Sequence, residues 1–260
     1  MVGYYGVQLK CGDRNFRAME RVISCYSLSL KSLRFTRDQP LAVISRATSR
    51  FLAITIEETK QKGYSKLAGV NEEARNLATI FSQPPEDCIL HRPTAATALK
   101  AIQDNNLVHF ACHGESDPIN PSDSRLILVK ADPDGVERID PLTVADVMKS
   151  KAANGGIAFL RACSTADNSA IRLIDEGIHL ASAFQLAGFS HVFGTMWNTR
   201  NSACAKVSER FYQHLLESSL DEVSHRKVAE AFHIAVKEWM DSEGTLENPL
   251  LWASFVHYGA

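Results

Sequence analysis

Two strand-length apolar runs in this chain break off in reactive side chains, and that pattern limits the folds open to it. Gly156-Ile157-Ala158-Phe159-Leu160-Arg161-Ala162 leads into Cys163-Ser164-Thr165, and Leu107-Val108-His109-Phe110-Ala111-Cys112 leads into His113-Gly114-Glu115. Runs this short and apolar suit central parallel strands covered on both faces. In open parallel sheets, the groups that meet ligands stand at the carboxyl ends of strands. The two runs therefore deliver a cysteine and a histidine toward one edge of a sheet. The 50 residues from His113 to Cys163 leave room for a helical crossover and a hairpin between neighbouring strands.

The rest of the chain alternates in the same way. Val22–Ser27, Phe51–Ile56, Cys88–Leu90, His191–Trp197 and Ser254–Tyr258 read as further strands. Between them, Ser29–Arg37, Val70–Phe81, Thr94–Ile102, Thr143–Lys149, Leu180–Ala187, Ala203–Leu216 and Val228–Trp239 carry helical spacing. Thr94 is placed to cap one of these helices and Gly188 to end another. Arg125–Lys130 and Val136–Ile139 flank Asp132-Pro133-Asp134-Gly135, a hairpin with strong turn chemistry. Glu115–Ser124 and Asp167–Gly177 read as polar loops, and such loops can gate a site. No repeat or linker-like break divides the sequence. The expectation is one α/β domain over residues 1–260 with a mostly parallel sheet, residues 1–20 being a loosely held lead-in.

Composition excludes several function classes. A formal net charge of −2 gives no broad basic field, so nucleic acid is not an expected partner. No apolar stretch reaches the roughly 20 residues of a spanning helix, so no membrane is expected. Met1–Lys10 lacks the basic and apolar blocks of a signal peptide. The six cysteines show no CxxC and no regular spacing. They are expected to be free thiols in a reducing, cytoplasmic setting.

The ordinary fate of a lone cysteine is a buried thiol. Cys163 is singled out by its position after a strand, where backbone N–H groups can face a developing oxyanion. A core histidine is the ordinary fate of His113, but the neighbouring Gly114 would let a backbone N–H approach a ligand closely. Together they could perform nucleophilic catalysis, with Cys163 attacking a carbonyl and His113 supplying a proton to the leaving amine. The sequence names no third, orienting residue. His109 and His113 would lie about 13 Å apart on a strand at ~3.3 Å per residue, too far for one metal. Cys112 should face away from His113, into the core. Neither a metal nor a cofactor is expected.

At these motifs the sequence resembles the CHAT domain, a caspase-like module found with tetratricopeptide repeats and related to separase. The resemblance rests on VISCYSLSLKSLRFTR (22–37), LAGVNEEARNL (67–77), HFACHGE (109–115), FLRACSTA (159–166), LASAFQLAGFSHVFGTMW (180–197) and WASFVHYG (252–259). It implies a caspase/hemoglobinase fold, a three-layer α/β sandwich with a mostly parallel six-stranded sheet and helices on both faces. It also implies a Cys/His endopeptidase dyad. Carried over by position, His113 is the general acid/base, Cys163 is the nucleophile, and the N–H groups of Gly114 and Cys163 form the oxyanion hole.

The sequence departs from the family at the residues that line the pocket for the side chain before the scissile bond. Arg161 stands where relatives have Ser or Asp, and Asn198-Thr199-Arg200-Asn201 follows Met196-Trp197 where relatives carry acidic residues. Arg161, Trp197 and Asn198 are the substrate-pocket candidates. A basic pocket disfavours Lys or Arg in a substrate. Arg161 could instead point away and pair with a surface carboxylate. Two function classes follow: an endopeptidase acting on a specific protein or peptide substrate, or a silent or gated module for protein–protein interaction. No ~34-residue period marks a tetratricopeptide array within the chain. A tetratricopeptide-repeat or other regulatory partner, or a missing flanking region, is therefore expected.

Overall fold

A computed structural model of the protein describes residues 18–27, 29–38, 41, 44–45, 48–117, 119–150, 152, 155–162, 177–217, 223–242 and 246–259. Its first half contains α1 (Leu30–Asp38), β1 (Phe51–Thr55), α2 (Val70–Ile80), the short α3 (Pro85–Cys88), β2 (Ile89–His91), α4 (Ala95–Asp104) and β3 (Leu107–Ala111). There follow β4 (His113–Glu115), β5 (Arg125–Ala131), β6 (Glu137–Thr143), α5 (Val144–Lys149) and β7 (Ile157–Arg161). The last elements are α6 (Gly177–Leu186), β8 (His191–Thr195), α7 (Asn201–Leu216), α8 (His225–Met240) and β9 (Phe255–Tyr258).

Six strands form one sheet in the order β2-β1-β3-β7-β8-β9. Every pair is parallel except β8–β9, which is antiparallel. The strands form where β-branched and aromatic residues can be buried on both faces, and β1, β3 and β7 are buried along their whole length. Successive residues feed two separate cores, as the two-residue period of a strand requires. Phe51, Ala53, Leu107, Ile157 and Phe159 pack toward α2, α7 and α8. Leu52, Ile54, Val108, Phe110, Ala158 and Leu160 pack toward α4, α5 and α6. The result is a three-layer sandwich, the α/β architecture that the alternating elements predict.

Local chemistry fixes the element ends. Thr94 Oγ1 accepts from the Thr97 N–H at 3.2 Å and starts α4. Thr143 and Asp146 form a reciprocal capping box on α5. Gly188 ends the α6 turn at φ 116°, a left-handed value natural to glycine. The expected hairpin is present as β5 and β6, with Gly135 at φ 75° in the turn.

Two expectations are corrected. Val22–Ser27 is not a strand: only Tyr26 bridges to Tyr258, while Val22 and Ile23 are exposed. An apolar run without a neighbouring edge along its length gains nothing from pairing. The chain also does not run from β3 straight into a loop. It bends at Cys112 and enters β4, which joins β5 and β6 in a second, three-stranded antiparallel sheet. His113 is the first residue of that strand. Asp167–Gly177, expected to be a loop, falls outside the described residues apart from the backbone of Gly177.

Candidate active site

In the β3–β7 register Ala111 is opposite Arg161, the last residue of each strand. His113 follows Ala111 by two positions, and Cys163 follows Arg161 by two in sequence. Cys163 itself lies outside the described residues.

His113 is nearly buried, with 9% of its surface exposed. Its Nε2 is 2.7 Å from the carbonyl oxygen of Ser65. A carbonyl can only accept, so Nε2 carries the proton and Nδ1 is left as the nitrogen that can take up or release one. This is the orienting group that the sequence did not reveal. A backbone carbonyl leaves no mark on residue type, so no reading of side chains could have found it.

The loop bearing Ser65 is pinned from both sides. Tyr64 packs its ring on His113 at 5.3 Å between centroids and donates its hydroxyl to Glu115 Oε1 at 2.5 Å. Arg125 holds the other oxygen of Glu115 through Nε at 2.8 Å. Burial, and then the bond to Glu115, push the Tyr64 phenol up to about 12, so it stays a neutral donor. Lys66 pairs with Glu57 at 3.3 Å, and the Leu67 N–H donates to the Glu57 carbonyl at 2.8 Å.

Arg161 does not reach a surface carboxylate. It forms an ion pair with Glu73 of α2, both side chains being only 3% exposed. Its Nη2 also donates to the Asn201 carbonyl at 3.2 Å. The other Glu73 oxygen accepts from Ser208 Oγ at 2.6 Å and lies 3.3 Å from His109 Nε2. Burial pushes the Glu73 carboxyl up, but contact with His109, Arg161 and Ser208 outweighs it and holds the group below its ordinary value. His109 thus belongs to this buried cluster. It stacks on Phe159 at 5.1 Å, on the α2/α7 face of the sheet.

Beside His113 lies a cavity of about 240 Å³ lined by Ser65, Leu67, Cys112, His113, Arg161, Asn198, Thr199, Arg200 and Asn201. Two of the pocket candidates, Arg161 and Asn198, are on its wall. Trp197 is not among its lining residues and donates its indole N–H to the Leu250 carbonyl at 3.0 Å. Gly114 sits in β4 opposite Leu126 and lines a smaller hollow of about 30 Å³ on the α6 side, with Leu160 and Ala162. Cys112 is buried, and burial pushes its thiol up to about 12. Burial likewise pushes Cys88 up to about 11 and raises Cys25. None of these three is an activated nucleophile.

Among the described residues, no group of three or more His, Cys, Asp or Glu side chains could hold a metal ion. No helix there is long and apolar enough to cross a membrane.

The CHAT domain family model matches residues 9–260. The chain belongs to the CHAT domain family. The CHAT fold here is similar to three solved structures of caspase-like cysteine proteases. In the complex of Porphyromonas gingivalis RgpB pro- and mature domains, the match has a TM-score of 0.55 at 12% identity, covering 88% of this chain and 52% of that one. The Arg specific cysteine proteinase gingipain R matches with a TM-score of 0.52 at 15% identity, over 88% of this chain and 51% of that one. Separase in the Saccharomyces cerevisiae separase–securin complex matches with a TM-score of 0.52 at 18% identity, over 88% of this chain and 13% of that one. This CHAT chain thus spans about half the length of the gingipain chains and a small part of separase. No curated protein matches the sequence significantly. The neighbours share a cysteine peptidase-like fold with this CHAT domain, with the six-stranded, mostly parallel sheet expected from the sequence.

Proposed function

We propose that this CHAT domain is a cysteine endopeptidase that cleaves a specific protein partner through a Cys163/His113 dyad. The observation that carries the reading is His113 at the carboxyl edge of β3, with Nε2 tied to the Ser65 carbonyl, on the wall of a cavity that could receive a substrate side chain. In this reading the Cys163 thiolate adds to the scissile carbonyl carbon. The protonated His113 gives its Nδ1 proton to the leaving amine as the C–N bond breaks and a thioester forms. Water deprotonated by the same nitrogen then hydrolyses the thioester and restores the thiol. The N–H groups of Gly114 and Cys163 are assigned to the oxyanion. Residues 1–260 are read as one domain, and a second protein is read as its regulator. The separase neighbour was itself solved with a protein, securin.

The test is covalent labelling with an electrophilic peptide ketone. The wild-type chain is expected to take up one label at Cys163, and the Cys163→Ala and His113→Ala variants none. A wild type that remains unlabelled at Cys163 in the presence of its partner would overturn the reading and leave a binding module in its place.

A further inference from the structure

The cavity beside His113 carries a net sign. Among the described residues, no carboxylate lines it. Of its two arginines, Arg161 is matched by Glu73 standing behind it. Arg200, which is exposed, makes no ion pair among the described residues. The wall continues through Asn198, Thr199 and Asn201, all neutral. α7 begins there, at Asn201, with no side-chain cap on its first-turn amides. Such a helix end behaves as about half a positive charge. At about 30 Å³ per water, a volume of about 240 Å³ has room for a whole side chain rather than a single bound water.

We propose that this cavity selects an acidic side chain, aspartate or glutamate, on the residue before the scissile bond, with Arg200 as its charge partner. The proposal rests on the peptidase reading and names that enzyme's substrate class. Arg161, spent on Glu73 and the Asn201 carbonyl, shapes the wall without supplying the free charge. A lysine or arginine entering the cavity would meet Arg200 and the start of α7, with no anion among the described lining residues to pair it.

Fluorescein-labelled pentapeptide pools, with Asp, Asn, Lys or Arg fixed at one position and the others varied, are titrated into the Cys163→Ala protein by fluorescence anisotropy. This reads binding without turnover. The Asp pool is expected to bind at least about tenfold more tightly than the Lys and Arg pools. The Asn pool should fall between them, and Arg200→Gln should bring all pools to within about threefold. Three results would overturn the proposal: no measurable preference, an Asn pool that equals the Asp pool, or an Asp preference that survives Arg200→Gln. The peptidase reading fails separately, if wild-type protein neither cleaves the Asp pool nor is labelled at Cys163 while the charge preference persists.

Discussion

Arg161 and Glu73 form an ion pair in the interior of the sheet–helix layer, 88 residues apart in sequence and almost wholly out of water. Removing one member of a buried pair leaves the other charged and unmatched, which costs about 3–5 kcal/mol. Arg161→Met is expected to destabilise the fold by that amount in urea denaturation. Glu73→Gln on top of it should restore part of the loss, because an amide still accepts from Ser208 but carries no charge to strand. A double-mutant cycle should give a coupling energy on the order of 1–3 kcal/mol. Strictly additive losses would show that the two side chains do not act as a pair.

A second buried cluster makes stability depend on pH. His191 Nδ1 is 2.9 Å from His257 Nε2, and His191 Nε2 is 2.9 Å from His225 Nδ1. Burial, and then the neighbouring histidines, hold His191 well below its ordinary 6.5. Burial, and then His225, lower His257 to about 3. The unfolded chain therefore binds protons on these groups before the folded one does. Their contribution is fully present above about pH 6.5 and is lost as pH falls from there, down to about 3 for His257, by up to about 1.4 kcal/mol per pH unit for each group. The lowered carboxyls of Glu73, Asp117, Asp132 and Glu137 start from ordinary values of 3.8 to 4.5 and act in a more acidic window. Thermal unfolding between pH 7.5 and 5 should show a falling melting temperature, with a shallower slope in His257→Gln. A flat profile, or one unchanged by that substitution, would contradict the assignment.

The sheet was legible in the sequence because its strands are set by local composition. Phe51–Thr55, Leu107–Ala111 and Ile157–Arg161 are apolar but for Thr55, His109 and Arg161, and so short an apolar run suits a strand buried on both faces. The Thr94 cap of α4 and the Asp132–Gly135 turn were legible for the same reason, since their hydrogen bonds form between residues a few positions apart. The candidate site was legible only where a side chain marks it, at His113 and at Arg161 and Asn198 on the cavity wall. The Ser65 carbonyl, the Glu73 carboxylate behind Arg161 and the β4 pairing of His113 with Ile127 are brought in from 48, 88 and 14 positions away. No local pattern encodes contacts of that kind. The short His113-Gly114-Glu115 segment has no apolar period, so its strand character comes wholly from the edge that β5 offers.

Gly188 tests the packing that carries the chain from α6 into β8. It holds φ 116°, and a methyl group added there would meet the Ala152 carbonyl oxygen at 2.5 Å. Both the backbone angle and the contact oppose any side chain, and the obstacle is backbone that cannot swing aside. Gly188→Ala is expected to lower stability by at least about 1 kcal/mol, the reverse of the gain seen where glycine adopts an ordinary angle. A chemical-denaturation midpoint equal to the wild type would refute this.

His113 and Ser65 give the sharpest contrast between side chain and backbone. The peptidase reading needs the His113 ring, so His113→Ala should lower kcat/KM by about 10²–10⁴-fold. It needs only the carbonyl of Ser65, whose side chain is exposed. Ser65→Ala should therefore stay within about twofold of wild type. Tyr64→Ala removes both the ring packed at a tilt against His113 and the hydroxyl bound to Glu115, so it releases the loop that presents the carbonyl. It should lower kcat more than Ser65→Ala does, and Tyr64→Phe, which keeps the ring, should recover part of the loss. Measuring kcat and KM for all four variants on one substrate checks the order. A Ser65→Ala enzyme as impaired as His113→Ala would mean that the serine hydroxyl, and not the main chain, orients the imidazole.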